Sequence, residues 1–320
     1  MDMEDVNKTV DGEFSLLGLT EEPRLKLILF VVFTVVYILT VIGNIGIIVL
    51  IRLSPHLQTP MYFFLSHLSF VDLCYSSDIA PRMLVDLVSE TKKIFRVGCV
   101  MQLFIFFAAG TIEALLLATM AYDRYAAVCQ PLHYMAIMTK RFCVLLLTMV
   151  YTVGILHSMI ETGCTFRLPF CHWTIHHFCC DIPPLLKLSC TNTFINEVVL
   201  FIFGGSLAIS SLLAVFISYA AIISAVLRMR SSAARLRVFS TCASHFTGVT
   251  LYFGTIIFTY LRPSSVYSLD QDKAVTLFYT VVIPMLNPLI YSLRNKDVKD
   301  GLRKIIVRKF ILRGIFPLNL

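Results

Sequence analysis

Residues 120–134 read MAYDRYAAVCQPLHY, and they close an apolar run that begins near Cys99. That run, VMQLFIFFAAGTIEALLLATMAY, is long enough for a bilayer crossing, which takes about 20 residues. It carries one charged residue, Glu113, and then ends in Asp123-Arg124 between Tyr122 and Tyr125. A charge at the bilayer centre is costly, whereas at a helix end its head reaches water or a partner. The pair therefore marks the inner mouth of a membrane helix, with Asp123 partly neutralising Arg124. Pro131 ends the helix, since it lacks the N–H and its ring clashes with the preceding turn. Physics alone leaves two roles open for the pair. It is a boundary marker, or it is a switch whose arginine changes partners when helices rearrange.

The composition extends this reading to the whole chain. Of 320 residues, 57% are hydrophobic and 15% charged, and the mean hydropathy is +0.79. A soluble domain carries about 25% charged residues, so the deficit points to a polytopic membrane protein. The net charge of +7 does not imply a nucleic-acid partner, because the bases cluster where topology wants them. The first 24 residues hold seven acids and two bases, and the tail from Arg294 holds eight Lys/Arg and two acids. The positive-inside rule then expects an extracellular N-terminus and a cytoplasmic C-terminus, hence an odd number of crossings. Residues 1–24 lack the basic start and apolar middle of a cleavable signal peptide, so the first crossing is expected to act as its own anchor.

Seven crossings are found: Leu25–Leu53, a second from the Leu57 region to about Val88, Cys99–Cys129, Arg141–Gly163, Asn196–Leu227, Phe239–Leu261 and Ala274–Leu293. The expected organisation is an extracellular segment at 1–24, a seven-helix bundle at 25–293 and a cytoplasmic tail at 294–320. Asn7-Lys8-Thr9 is a glycosylation acceptor in the outer segment. Gly43 and Gly46 let a neighbouring helix approach helix 1. Pro284 and Pro288 should kink the seventh crossing and free carbonyls. Val298–Phe310 is basic and amphipathic, an expected eighth helix on the inner membrane surface that contacts lipid.

Polar residues inside the crossings are the first functional candidates. Asp72 lies 12 residues past Pro60, about 18 Å at 1.5 Å per residue. Glu113 lies 11 residues outward from Arg124, about 16 Å, at similar depth. Asn44 and Asn287 sit seven or eight residues from their inner ends, roughly 10–12 Å. Asn44, Asp72, Glu113 and Asn287 are thus expected to form one buried cluster, either a hydrogen-bonded packing network or a site for a bound cation such as sodium. The loop from Cys164 to about Phe194 is rich in cysteine and histidine. No regular metal-ligand spacing repeats in it, so no metal and no cofactor is expected.

Further motifs stand in order along the chain: Gly43-Asn44, LQTPMYFFLSHLS at Leu57–Ser69, Ser218-Tyr219, FSTCASH at Phe239–His245 and PMLNPLIYSLRNKDV at Pro284–Val298. Together with MAYDRY and PLHY, these resemble the odorant (olfactory) receptors among rhodopsin-like G-protein-coupled receptors, in their class II branch. The resemblance implies an all-α seven-transmembrane bundle. It implies a Cys99–Cys180 disulfide and a Cys171–Cys190 disulfide, with Cys179 an extra thiol beside the first. It implies that a small volatile odorant binds in the outer half, against Phe106, Phe107, Gly110, Thr111, Phe203, Leu207, Phe253, Ile256, Ile257, Tyr260 and Leu277. It also implies a G-protein switch at Asp123, Arg124, Tyr125, Tyr219, Asn287, Pro288 and Tyr291, coupled to a stimulatory, olfactory-type heterotrimer that raises cAMP.

Two rival classes fit the residues less well. An ion transporter or channel would use Asp72 and Glu113, but no internal repeat or pair of broken helices is present. A membrane enzyme would need a catalytic motif, and no HExxH, GxSxG or Walker pattern occurs.

Overall fold

The structure, a computed structural model, describes residues 12–260, 269–294 and 298–299. Some of these, Tyr260 among them, are described by backbone alone. Asn7 and nearly all of the expected eighth helix lie outside the described residues.

Seven long helices run through the described residues, in the number that the apolar runs predict. Helix 1 is Pro23–Leu53, helix 2 Pro60–Val88, helix 3 Arg96–Cys129 and helix 4 Lys140–Phe166. Helix 5 is Phe194–Arg228, helix 6 Ser232–Tyr260, and helix 7 starts at Leu269 and ends at Arg294. Prolines at the first turns of helices 1 and 2 use a position where the N–H is unpaired in any case. Thr139 caps helix 4 by accepting a hydrogen bond from the Phe142 N–H at 3.3 Å. Five of the seven are long and apolar enough to cross a membrane. Helices 2 and 6 are more polar, helix 2 through Asp72, Asp78, Arg82 and Asp86.

Helix 3 is the central element and touches helices 2, 4, 5 and 6, while helix 7 closes the bundle against helices 1, 2 and 6. Glycines set two of these approaches. A Cβ on Gly43 would lie 3.1 Å from the Pro288 Cβ, so the close approach of helix 1 to helix 7 at Pro288 depends on Gly43 having no side chain. A Cβ on Gly154 would collide with Ile112, which fixes the contact of helix 4 with helix 3. Two π-helical turns interrupt the ladders, Leu200–Gly204 in helix 5 and Phe278–Val282 in helix 7. Such turns are rare and frequent at functional sites. Nothing in the apolar pattern announces them.

One end of the bundle carries a small sheet that the hydropathy reading does not anticipate. β1 (Glu13–Leu16) pairs antiparallel with β2 (Lys93–Phe95) and parallel with β3 (Thr174–Ile175). Residues 13–16, ahead of helix 1, are therefore packed against the loops. Its period-two pattern buries Phe14 (0% exposed) and Leu16 (2%) and turns Glu13 and Ser15 outward. Glu13 meets Lys93 at 3.0 Å, and Glu21 meets Lys92 at 2.6 Å. Glu13 and Glu21 thus serve local ion pairs.

Candidate functional site

At the sheet end, two disulfides tie the long loop down. Cys99 at the start of helix 3 is bonded to Cys180, and Cys171 to Cys190. Cys179 is a buried free thiol beside the first bridge, and its Sγ lies 3.3 Å from His177 Nδ1. Burial, with the nearby Lys273 charge, pushes the His177 imidazole down to about 4. Burial pushes the Cys179 thiol well up, so it is a packed, protonated side chain rather than a nucleophile. Among the described residues, no three His, Cys, Asp or Glu side chains gather as a metal site.

Below the loop, aromatic side chains pack between the helices. Phe106 lies 5.4 Å from Phe107 and 5.5 Å from Tyr75, ring centre to ring centre, and Tyr279 of helix 7 lies 5.8 Å from Phe106. The Tyr252 hydroxyl donates to the Gly110 carbonyl at 2.5 Å, joining helix 6 to helix 3. A Cβ on Gly110 would come 3.8 Å from that hydroxyl and 4.0 Å from the Tyr75 hydroxyl. Thr111 shares a 2.8 Å hydrogen bond with His157 Nδ1. Phe253 is buried, while Leu207, Ile256 and Leu277 are half-buried. Phe203 (45%) and Ile257 (40%) are exposed, and the Tyr260 side chain is not described. Sequence reasoning missed Tyr75, Tyr252, Tyr279 and His157. The signal for His157 was the one that singled out Glu113, a titratable side chain inside an apolar run.

Midway along the bundle, the expected polar cluster forms in part. Asn287 Nδ2 donates to Asp72 Oδ2 at 3.0 Å and lies 3.4 Å from Glu113 Oε1, all three buried. One amide thus serves two carboxylates, and Asp72 Oδ1 and Glu113 Oε2 have no hydrogen-bond partner among the described residues. Asn44 corrects the expectation. Its Nδ2 donates instead to the carbonyls of Thr40 at 3.0 Å and Pro284 at 2.9 Å. Pro288 has no N–H for the Pro284 carbonyl four residues back, so helix 1 supplies the missing donor.

At the opposite end, Asp123 accepts the Tyr134 hydroxyl at 2.9 Å. It makes no direct ion pair with Arg124, because adjacent helix positions do not face one another, so any neutralisation of Arg124 acts through space. Arg124 is half-buried, and its Nε has no hydrogen-bond partner among the described residues. Tyr125 accepts from Gln130 Nε2 at 3.3 Å. Tyr219 and His245 join three helices. His245 Nε2 meets the Leu117 carbonyl of helix 3 at 3.1 Å, which places the ring proton on that nitrogen. His245 Nδ1 is then the acceptor for the Tyr219 hydroxyl of helix 5 at 2.7 Å. Tyr291 is buried with its hydroxyl unpartnered among the described residues, close over Gly248.

Comparison with known proteins agrees with this layout. A family profile described as olfactory receptor matches residues 33–309. Olfactory receptor 5AR1 of Mus musculus is 52% identical over 308 residues, covering 96% of this chain and 99% of the relative. Olfactory receptor 5I1 of Homo sapiens is 51% identical over 310 residues, covering 97% and 99%. The olfactory receptor-like protein OLF1 of Canis lupus familiaris is 50% identical over 303 residues, covering 94% and 97%.

Proposed function

The chain belongs to the olfactory receptor family, multi-pass membrane receptors rather than enzymes, and on that premise we propose that it binds a small apolar odorant at its disulfide end and signals through a stimulatory, olfactory-type G protein. The reading places the N-terminus outside, with Asn7 glycosylated, and the Arg124 end in the cytoplasm. The ligand lies among Phe106, Phe107, Gly110, Thr111, Phe253, Ile256 and Leu277, an apolar lining with few polar handles. Few heavy atoms limit the binding energy, so affinity is micromolar or weaker, on the order of 10⁻⁶ M.

The observation that carries this reading is the two-ended layout of helix 3. Its Phe106–Thr111 turns face the aromatic lining, and its Leu117–Arg124 turns meet the Tyr219–His245 tie. A ligand that favours one arrangement of helices 3, 6 and 7 shifts the population of that arrangement. The shift parts the tie, frees Arg124 to change partners and opens a groove for the G protein. Asp72, Glu113 and Asn287 sit between the two ends, where a bound cation would bias the same equilibrium.

The test is a cAMP screen in cells that express the chain with an olfactory-type G protein, with an epitope tag reporting surface delivery. A dose-dependent rise is expected with at least one odorant. Arg124→Ala should reach the surface and lose the response, and full signalling by that variant would overturn the assigned role.

A further inference from the structure

The Thr111 hydrogen bond leads into helix 4, where the proposed ligand site has a polar extension that the odorant reading alone does not supply. His157 and Glu161 are one helical turn apart, and His157 Nε2 lies 3.4 Å from Glu161 Oε1. Both side chains are buried, Glu161 to 2% exposure. Neither of these two atoms has a hydrogen-bond partner among the described residues. The ring of Phe107 packs edge-on against the imidazole at 6.1 Å. From helix 5 the imidazole is faced by Gly204, the last residue of a π-helical turn, where even an added Cβ would stay 3.7 Å from Nε2. The site is thus built from an acid–imidazole pair with two unpartnered atoms, a threonine hydroxyl on the imidazole, and a glycine of the neighbouring helix beside it.

The direction of the hydrogen bonds follows from the chemistry of the groups. A carboxylate only accepts hydrogen bonds, so a single ring proton on His157 is drawn to Nε2, the nitrogen that faces Glu161. His157 Nδ1 is then an acceptor, and the Thr111 hydroxyl donates its only proton to it over 2.8 Å. What Thr111 has left is lone pairs. We infer that Thr111, His157 and Glu161 form a polar subsite that takes the hydroxyl proton of an apolar alcohol or phenol. The inference rests on the proposed odorant site and narrows its ligand class. Thr111 touches the ligand, and His157 and Glu161 are positioning residues that orient its hydroxyl. A ligand that only accepts hydrogen bonds meets an oxygen with no proton to offer.

The test uses the receptor at the cell surface and a panel of alcohols and phenols of about six to ten carbons, a size suited to such pockets. Straight-chain, cyclic and aromatic skeletons are included, each beside its methyl ether and matching carbonyl compound. The hydroxyl compound is expected to reach half-maximal cAMP at about one tenth the concentration of its ether, the worth of one hydrogen bond. Thr111→Ser should keep that preference. Thr111→Val, similar in shape and without the hydroxyl, should reduce it to about twofold or less. If Thr111→Val fails to reach the surface, His157→Phe serves, because it releases the threonine proton and should let the carbonyl compounds gain on the alcohols. Equal potency for alcohol and ether, or a preference that survives both Thr111→Val and His157→Phe, would overturn this inference while leaving the receptor intact. A surface receptor that answers another odorant of the general screen but no hydroxyl compound would also overturn the inference, and one silent to both sets would refute the odorant reading.

Discussion

Replacing His245 by Phe should raise cAMP in the absence of any odorant. The imidazole is fully buried and joins helix 6 to helix 3 through the Leu117 carbonyl at 3.1 Å and to helix 5 through the Tyr219 hydroxyl at 2.7 Å. Phe keeps a flat ring against Tyr219, whose plane lies 13° from that of the imidazole, and removes both hydrogen bonds. Each is worth about 1 kcal/mol net, so the arrangement with helix 6 held inward loses about 2 kcal/mol. With tenfold per 1.4 kcal/mol, the open-to-closed ratio rises roughly 30-fold. A receptor open about 1% of the time would then be open about a quarter of the time. The assay is ligand-free cAMP, normalised to surface receptor, in cells supplied with the olfactory-type G protein. His245→Gln is the control, because an amide both donates and accepts, and it should fall between wild type and Phe. A Phe variant that reaches the surface normally with basal cAMP unchanged or lowered would refute the claim that this tie holds the closed arrangement.

Other outcomes follow from single contacts. Asn44→Ala strips the Pro284 carbonyl of its donor and should cost about 1–2 kcal/mol, read as a lower thermal midpoint in detergent. Gly43→Val places branches where even a Cβ sits 3.1 Å from Pro288; surface delivery should collapse, with Gly43→Ala between it and wild type. His177, buried in the long loop and held uncharged down to about 4, makes stability depend on acid. Above its ordinary value near 6.5 nothing is lost; between about 6.5 and 4 the unfolded chain gains a proton that the folded loop refuses, so stability falls as pH falls. Asp181, pushed up to about 6 by burial, works in the opposite sense. The comparison is therefore wild type against His177→Gln, and the wild type should lose up to about 3 kcal/mol relative to the variant across that window.

The sequence alone determined the seven crossings, the freed Pro284 carbonyl in helix 7, the depth of Asp72, Glu113 and Asn287, and the class of protein. These depend on local run length, on proline covalent geometry and on motif identity, all of which are present in the chain before it folds. Partner choice is a different matter, because it depends on helix rotation and tilt. Asn44 has the right depth for the carboxylate cluster, yet its rotation points it at the carbonyl that Pro288 leaves bare. Asp123 is beside Arg124 in sequence and bonds to Tyr134, since successive helical residues diverge by about 100°. Phe14 and Leu16 show no membrane-length run, so only their pairing with β2 and β3 reveals them as core. His157 and Glu161 stand one turn apart in an apolar helix, a pattern that the sequence reading missed. Their meeting with Thr111 is not written in either helix alone, because it depends on the close approach of helices 3 and 4 at Gly154. Those are tertiary facts: the chain fixes which residues lie on a helix, and packing fixes which of them meet.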